Sequence, residues 1–348
     1  MTDSEAERRA ALVATKLRAI VGANWGLPDD VTAGTSPAGA SLNDRAGGHT
    51  WIYLDEDPAR RLGMGLALAL RGGQGDRPNH LHVVVGADDA DAAAVLARRA
   101  STIDCNIDVW TAVGPELTAA VAAEPAVDAA PAPEAELYRP VLAAAGLEPV
   151  VEGGEVIGEY RGLEVARVVV DDKGGAHVEA GVGRFDREAG AMMFAHLGET
   201  DALARAVDVV RRSRHATAER HPLNQLVPER WLRSVVVANP AIVGAKSLRP
   251  VGSACPRRNL REIGVATAVG TGSNGEPVVV VCSTGIDMEL VPAAADDRLT
   301  HGPDARLVLA VPADDLLGLT EDLVALMHRP AEIVTVPDDW RSLSEVTR

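Results

Sequence analysis

Two stretches decide the fold: "LHVVVGADD" at residues 81–89 and "LVLAVPADD" at residues 307–315. Each is a short apolar run followed by a small residue and two aspartates. Apolar runs of this length predict strands that are covered on both faces, as in a parallel sheet. Aspartates directly after a strand are placed to cap the next helix and to favour the positive end of its dipole. Each stretch therefore predicts a strand that leads into a helix.

The same order of elements surrounds both stretches. Around the first, the pattern predicts strand 48–54, helix 59–71, strand 81–85, helix 91–102 and strand 108–113. Around the second, it predicts strand 277–282, helix 288–300, strand 306–312, helix 315–328 and strand 331–337. Strands that alternate with helices of about 10 to 15 residues indicate parallel crossovers within one sheet. The sequence thus predicts an α/β fold with two related βαβαβ units and short, mostly parallel sheets.

The two blocks can be laid on each other with small changes of offset. An offset of 226 or 227 places Ile52 on Val279 and Asp88 on Asp314, and an offset of 224 places Asp108 on Glu332. This agreement indicates an internal duplication. The alternative is convergence, because crossover lengths fall in a narrow range in any α/β unit.

The segment between the blocks has a different pattern. Residues 162–183, "GLEVARVVVDDKGGAHVEAGVG", alternate around a glycine-containing turn and predict an antiparallel hairpin. Helices are predicted at 185–197 and 201–216, and a second hairpin at 264–282. Residues 221–245 fit a helix or a strand equally well.

An Ala-, Pro- and acid-rich stretch at residues 120–135 predicts an extended linker, since repeated prolines prevent a helix from running through it. We therefore divide the chain into an N-terminal α/β domain at 1–118, a linker at 119–136, a central region of hairpin and helices at 137–262, and a C-terminal α/β unit at 263–348 that packs with the central region.

Composition indicates a cytoplasmic globular protein. The 348 residues are 47% hydrophobic and 24% charged, with a mean hydropathy of +0.02. The N-terminus reads as an amphipathic helix rather than a signal peptide, and no stretch reaches the roughly 18 apolar residues that a membrane helix needs. Cys105, Cys255 and Cys282 are isolated, which argues against a disulfide framework or a cysteine metal motif.

Charge is distributed unevenly. The whole chain carries a formal net charge of −16, which opposes general binding to nucleic acid. Residues 205–263, in contrast, contain twelve Arg or Lys and four acids, a net charge of +8. Arginine binds phosphate groups through paired hydrogen bonds, and an exposed tryptophan can stack on a base. The alternative is a solvated face whose arginines are intramolecular partners for some of the chain's 50 acids. The candidate binding residues of this basic region are Arg211, Arg212, Arg214, Arg220, Arg230, Trp231, Arg233, Arg257, Arg258 and Arg261.

A hairpin followed by strand, helix, strand, helix and strand resembles the order of the restriction-endonuclease-like fold. That resemblance implies an acid on one hairpin strand and an acid-x-Lys on the next, which together hold Mg²⁺ and activate water. The candidate acids are Asp172 and Glu179, or Asp287 and Glu289, but Gly181 stands where the lysine is required. The segments "GVGRFDREA", "ERWLR" and "VCSTGID" also resemble those of a group of uncharacterised actinobacterial proteins, which implies no activity.

One pair of histidines has a spacing suited to metal binding. His80 and His82 lie at i and i+2 at the start of a predicted strand, so their side chains share one face. No third ligand is evident near them in the sequence, and we therefore predict no metal site.

These observations favour a non-catalytic or catalytically degenerate protein that acts by binding. Its expected partner, engaged by the basic region, is nucleic acid or an acidic protein, including a second copy of the chain in a homo-oligomer. The alternatives are a Mg²⁺-dependent nuclease with a divergent motif and a scaffold protein that self-associates. No cofactor is expected, except Mg²⁺ in the nuclease alternative.

Overall fold

The computed structural model describes residues 3–36, 38–73, 78–127, 129–183, 187, 198–218 and 221–346. The described strands form three sheets with helices packed beside them, which confirms the predicted α/β class. Contacts divide the chain into two compact units. Unit 1 comprises Met1–Pro125, Met288–Asp296 and Leu317–Pro330; unit 2 comprises Ala126–Asp287, Asp297–Leu316 and Ala331–Arg348. The first boundary, after residue 125, falls inside the stretch predicted as a linker.

Unit 1 contains a six-stranded sheet. In spatial order its strands are β1 (Thr32–Ser36), β2 (Gly39–Asp44), β3 (His49–Leu54), β4 (His80–Gly86), β5 (Ile107–Val113) and β6 (Glu116–Ala119). β1, β2 and β3 are antiparallel, β3, β4 and β5 are parallel, and β6 returns antiparallel to β5. β3 and β4 are buried over most of their length, and for this reason their sequences are apolar on both faces.

Helices cover both faces of this sheet. On one face, α1 (Asp3–Asn24) packs Leu17 and Ile20 against Tyr53 and other buried side chains. The crossover helices are α2 (Leu62–Gly72) and α3 (Ala90–Ala100). Gly63 and Gly65, in the first turn of α2, lower its helix propensity but have a structural reason. A Cβ atom on Gly65 would lie 2.6 Å from Cδ1 of Ile52, so glycine lets the helix approach the sheet closely.

Unit 2 begins with two short helices, α4 (Pro133–Glu136) and α5 (Arg139–Ala144), and a four-stranded antiparallel sheet. The strands are β7 (Glu148–Glu152), β8 (Glu155–Tyr160), β9 (Leu163–Val170) and β10 (Ala176–Ala180), in the spatial order β10-β9-β8-β7. The β9–β10 pair is the predicted hairpin. The β7–β8 pair was not predicted, although Gly153 and Gly154 join its strands with positive φ angles of 60° and 83°, as a tight hairpin turn requires.

The predicted helix at 201–216 is confirmed as α6 (Glu199–Ser213), whereas the helix predicted at 185–197 falls almost entirely outside the described residues. The ambiguous segment 221–245 is helical for most of its length. It forms α7 (Pro222–Gln225) and α8 (Pro228–Ala238), and a strand begins at Ala245. Trp231, Leu232, Val235 and Val236 share the buried side of α8, and this spacing is helical.

The third sheet of the described chain also lies in unit 2. Its five strands are β11 (Ala245–Val251), β12 (Ala266–Gly272), β13 (Pro277–Cys282), β14 (Arg306–Pro312) and β15 (Glu332–Val336). β11, β12 and β13 are antiparallel, and β13, β14 and β15 are parallel. Along the chain, α9 (Leu290–His301) joins β13 to β14, α10 (Gly318–Ala325) joins β14 to β15, and α11 (Trp340–Val346) follows.

The strands β1–β5 and β11–β15 share order and direction, and their registers test the predicted offsets. His82 is paired with Asp108, and Val308 with Glu332, in agreement with offsets of 226 and 224. The first parallel strand differs: Ile52 pairs with Val83 and Val281 with Leu309, which makes its offset 229 rather than 227. A change of two residues keeps every side chain on its original face, so apolarity alone did not reveal it. Duplication itself stays a prediction.

No helix in the described part of the chain is long and apolar enough to cross a membrane.

Candidate metal centre

Three histidines meet on one face of the six-stranded sheet. His80 and His82 point to the same side of β4, as their spacing predicts. The third is His49, the first residue of β3, which the parallel register places directly beside His80. Each imidazole offers a ring nitrogen, and these nitrogens all lie within 4.8 Å of one another. Local sequence does not reveal the third ligand, because it lies on a strand 31 residues upstream of His80.

The three imidazole rings are stacked. The ring centroids of His80 and His82 are 4.2 Å apart, and that of His49 is 5.3 Å from His82 and 5.5 Å from His80. Nδ1 of His49 lies 3.1 Å from Nε2 of His82. Two nitrogens bound to one tetrahedral Zn²⁺ at 2.0–2.1 Å are separated by about 3.3 Å, so this pair already has nearly the required spacing.

A carboxylate completes the cluster. Asp108 on β5 is paired with His82 in the sheet, and its Oδ2 lies 2.8 Å from Nε2 of His80. The same oxygen lies 3.5 Å from Nδ1 of His82. A carboxylate that contacts a ligand histidine fixes the orientation of the ring and raises its basicity, an arrangement that is common around bound metal ions.

Tryptophans surround the inner side of the cluster. Trp51 stacks on His49 and His82 at centroid distances of 5.4 and 5.7 Å, and Trp25 lies 4.8 Å from His82. Solvent exposure of the side chains increases with distance from the two tryptophans: His82 is 2% exposed, His80 30% and Asp108 45%. A bound ion would therefore have one buried side and one side toward solvent.

Burial, the neighbouring His80 and His49 lower the pKa of His82 to about 4, against the opposing effect of the Asp108 carboxylate. His82 is thus a neutral imidazole near pH 7, the form in which a histidine binds metal. Its Nδ1 is buried and has no hydrogen-bond partner among the described residues. Buried polar atoms without a partner are uncommon in folded proteins and need an explanation.

The five-stranded third sheet has the same strand order, but other residues stand at the positions that correspond to the histidine cluster. By register, Arg306 corresponds to His80, Val308 to His82 and Glu332 to Asp108. There, Nη1 of Arg306 lies 2.6 Å from Oε2 of Glu332, which forms an ordinary ion pair. The histidine cluster is therefore a property of this sheet's side chains and not of the shared topology.

The acids predicted for a nuclease centre have other surroundings. Asp172 is exposed in the β9–β10 turn, while Glu179 is the fourth residue of β10 and lies 3.8 Å from Nε of Arg187. The backbone of β10 from Ala176 to Glu179 spans roughly 10 Å, which separates Glu179 along the strand from the turn that carries Asp172. Oε1 of Glu289 accepts a hydrogen bond of 2.7 Å from the backbone N–H of Gly63 at the start of α2, which gives it a capping role. Asp287 is half-buried and has an interaction partner.

Five of the ten candidate binding residues have side chains that are buried inside unit 2. Arg230 binds both oxygens of Glu152, and Arg233 lies 2.5 Å from Oε2 of the fully buried Glu159. Burial opposes ionisation of Glu159, but the guanidinium groups of Arg233 and Arg230 outweigh it and hold the pKa of this carboxyl below its usual value. Trp231 is completely buried. These side chains stabilise the fold and are not accessible to a phosphate or a base.

Two further arginines are also engaged in the interior. Arg214 is completely buried and donates hydrogen bonds to backbone carbonyl groups that include those of Arg161 and Leu226. Arg257 pairs with the buried Glu229. The prediction that these four arginines form a binding surface is therefore wrong. Their partners, buried carboxylates or backbone carbonyl groups, are distant in the sequence and were not visible from it.

The remaining members of the basic region are on the surface. Arg211, Arg212, Arg258 and Arg261 are exposed, and Arg212 lies 2.5 Å from Asp208 on the same helix. Arg220 lies outside the described residues. Binding of nucleic acid or of an acidic protein stays a prediction, and it now concerns this smaller set of exposed arginines.

No family model matches the chain, and no curated protein or solved structure matches it.

Proposed function

We propose that the protein binds one divalent transition-metal ion, of the Zn²⁺ class, through His49, His80 and His82. The observation that carries this proposal is the convergence of three imidazoles from two neighbouring strands, with their ring nitrogens within 4.8 Å of one another. Imidazole is a preferred ligand of Zn²⁺, Cu²⁺, Ni²⁺ and Fe²⁺, whereas Mg²⁺ and Ca²⁺ prefer oxygen.

Two features support a metal site over three histidines that merely fill space. Nδ1 of the buried His82 has no hydrogen-bond partner among the described residues and has Oδ2 of Asp108 3.5 Å away, which leaves Nε2, 3.1 Å from Nδ1 of His49, as the nitrogen that faces the metal position. The carboxylate of Asp108 lies beside two of the rings and supplies negative charge next to the position of a cation. Both features are expected around a ligated metal ion, where the second shell orients the imidazoles.

Metal binding would also tie the sheet together. The three ligands come from β3 and β4, and Asp108 adds β5, so one ion connects all three parallel strands of unit 1. Because the folded protein alone offers this arrangement, bound metal stabilises the fold by mass action, by about 2.7 kcal/mol at a free concentration 100 times the dissociation constant.

The test is a calorimetric titration of metal-depleted protein with Zn²⁺ near pH 7.5. We expect one ion per chain. Replacing His82 by Phe or His49 by Gln should weaken binding at least about 100-fold. The matched control is His177→Gln, which removes an exposed histidine from β10 and should leave the affinity unchanged.

A second readout uses the neighbouring indoles. Trp25 and Trp51 contact the cluster, so Cu²⁺ bound there should quench tryptophan fluorescence in the wild type and in His177→Gln, but not in His82→Phe. Absence of a stoichiometric Zn²⁺ isotherm, or equal binding by all variants, would show that the histidines do not form a metal site.

A further inference from the structure

Unit 2 contains a cavity of about 490 Å³. Its lining is mostly apolar and includes Pro240, Ile242, Ala245, Pro337 and Leu343. Among the described residues that line it, only Lys246 is charged. Small-molecule sites commonly have a volume of this order, with apolar walls and a few polar groups that fix the orientation of the ligand.

Two chain connections meet at this cavity. One leads from the end of α8 through a short 3₁₀ helix (Pro240–Val243) to β11, and the other leads from β15 through Pro337 to α11. The first connection is held by Arg306, whose Nη2 donates hydrogen bonds of 3.1 and 3.0 Å to the carbonyl groups of Val243 and Gly244. This wall is therefore held by the protein's own contacts, which lowers the entropic cost of binding a ligand.

A β-bulge in β11 brings Lys246 to the cavity. Ala245 pairs with Gly272 of β12. The next pair is Ser247 with Thr271, so Lys246 is an extra residue that the ladder leaves unpaired. Adjacent side chains of a regular strand point to opposite faces, yet Ala245 and Lys246 both line the cavity. Bulges redirect a side chain in this way and are frequent beside functional sites.

The charge of Lys246 is not compensated within the described part of the chain. Its ammonium group has no ion-pair or hydrogen-bond partner among the described residues, and the side chain is exposed. Asp338 and Asp339, the acids nearest in sequence to the lining, do not line the cavity. The first accepts a hydrogen bond from the backbone N–H of Asp314, and the second accepts one from the hydroxyl group of Ser342. The cavity thus combines an apolar wall with one uncompensated positive charge.

We propose that this cavity binds a small carboxylate with a hydrocarbon body, of the medium-chain fatty acid class. The carboxylate pairs with Lys246, and the hydrocarbon lies against Ile242, Leu343 and the prolines. One ammonium group compensates one negative charge, which matches a carboxylate rather than a phosphate dianion. The proposal is independent of metal binding, because none of the three clustered histidines lines this cavity.

NMR spectroscopy of labelled lysines in the full-length protein tests where the ligand binds. Reductive methylation with ¹³C-formaldehyde keeps the positive charge of a lysine. The chain has three lysines, Lys16, Lys173 and Lys246, so each signal can be assigned by a single Lys→Arg variant. In a titration with sodium octanoate we expect a saturable shift of the Lys246 signal, while those of Lys16 and Lys173 stay in place.

The length of the hydrocarbon tests the apolar wall. By calorimetry, octanoate should bind at least about tenfold more tightly than butanoate, since each additional methylene that is buried contributes about fourfold. Ala241→Phe places a ring in the cavity from the 3₁₀ helix and should abolish this difference. Ala238→Phe is the matched control, because this exposed alanine ends α8 and does not line the cavity.

The charge of Lys246 is tested by replacing it with an apolar side chain of similar length. Lys246→Met should weaken octanoate binding about fivefold and leave the affinity for octan-1-ol, which has the same chain without the charge, unchanged. Lys173→Met is the matched control, since it removes an exposed lysine from the β9–β10 turn.

Three results would overturn the proposal. The first is the absence of a saturable octanoate titration, or a parallel shift of all three lysine signals. The second is octanoate binding that tolerates both Lys246→Met and Ala241→Phe, because the ligand would then lie elsewhere. The third is equal affinity for octanoate and octan-1-ol, which would exclude recognition of the carboxylate.

Discussion

Glu148 should make the stability of unit 2 depend on pH. This residue begins β7 and pairs directly with Glu159 of β8, which is fully buried. Burial and the charge of Glu159 raise the pKa of Glu148 from 4.5 to about 7, against the opposing effect of Arg233. In the unfolded chain the same carboxyl titrates near its ordinary value, so the folded state binds the proton more tightly.

The sign and size of the effect follow from this difference. Because the folded-state pKa is the higher one, the contribution of Glu148 to stability is fully present below about pH 4.5 and is lost as the pH rises through about 7. At 1.36 kcal/mol for each pKa unit, the interval between 4.5 and about 7 corresponds to about 3 kcal/mol.

The perturbation is Glu148→Gln, which keeps the shape of the side chain and removes its titration. The variant should match the wild type at pH 4.5 to within about 1 kcal/mol and exceed its free energy of unfolding by about 3 kcal/mol at pH 8.5. The control is Glu134→Gln, which changes an exposed carboxylate in the same unit and should behave like the wild type at both pH values.

Urea denaturation at a series of pH values measures the difference, and hydrogen exchange of peptides from β7 and β8 reports the sheet itself. A gain that is equal at pH 4.5 and pH 8.5 would refute the reasoning, because it would come from packing rather than from ionisation. A variant less stable than the wild type at pH 8.5 would show that the ionised carboxylate is favourable in the fold.

Three other substitutions test separate parts of the structure. Asp296→Ala should lower stability by about 3 to 5 kcal/mol in thermal unfolding, because two buried arginines lose their shared carboxylate. Gly63→Ala should destabilise in urea denaturation despite alanine's higher helix propensity, since its Cβ would lie 1.8 Å from a backbone oxygen, whereas Gly318→Ala has open space and should be neutral or stabilising. Asp108→Asn should weaken Zn²⁺ binding about 10- to 100-fold in calorimetry, while Glu332→Gln, at the corresponding position of the third sheet, should leave it unchanged.

Local pattern was sufficient for the parallel strands and the crossover helices of the two mixed sheets. Runs such as "LHVVV" and "RLVLAVP" are buried on both faces, and apolarity on both faces is visible in one dimension. The β7–β8 hairpin was missed although its paired glycines were visible. Residues 221–245 were ambiguous because β-branched residues on a buried helical side resemble a strand over short windows.

The arginines show where local pattern fails. A cluster of positive charge in the sequence is compatible with a solvated surface or with buried ion pairs, and the choice depends on partners that are distant in the chain. Glu152 and Glu159 precede Arg230 by 78 and 71 residues, and their carboxylates form ion pairs with its guanidinium group inside the unit. Charge counting along the chain contains no information about such pairing.

The sequence by itself determined the α/β class, the order of strands and helices in both parallel blocks, and the face shared by His80 and His82, because these depend on periodicity and on spacing between near neighbours. The tertiary structure alone decided that His49 and Asp108 join them. Parallel strands acquire their neighbours through crossovers, and the register of β3, β4 and β5 brings together side chains from residues 49 to 108. A site built across strands is a property of that register.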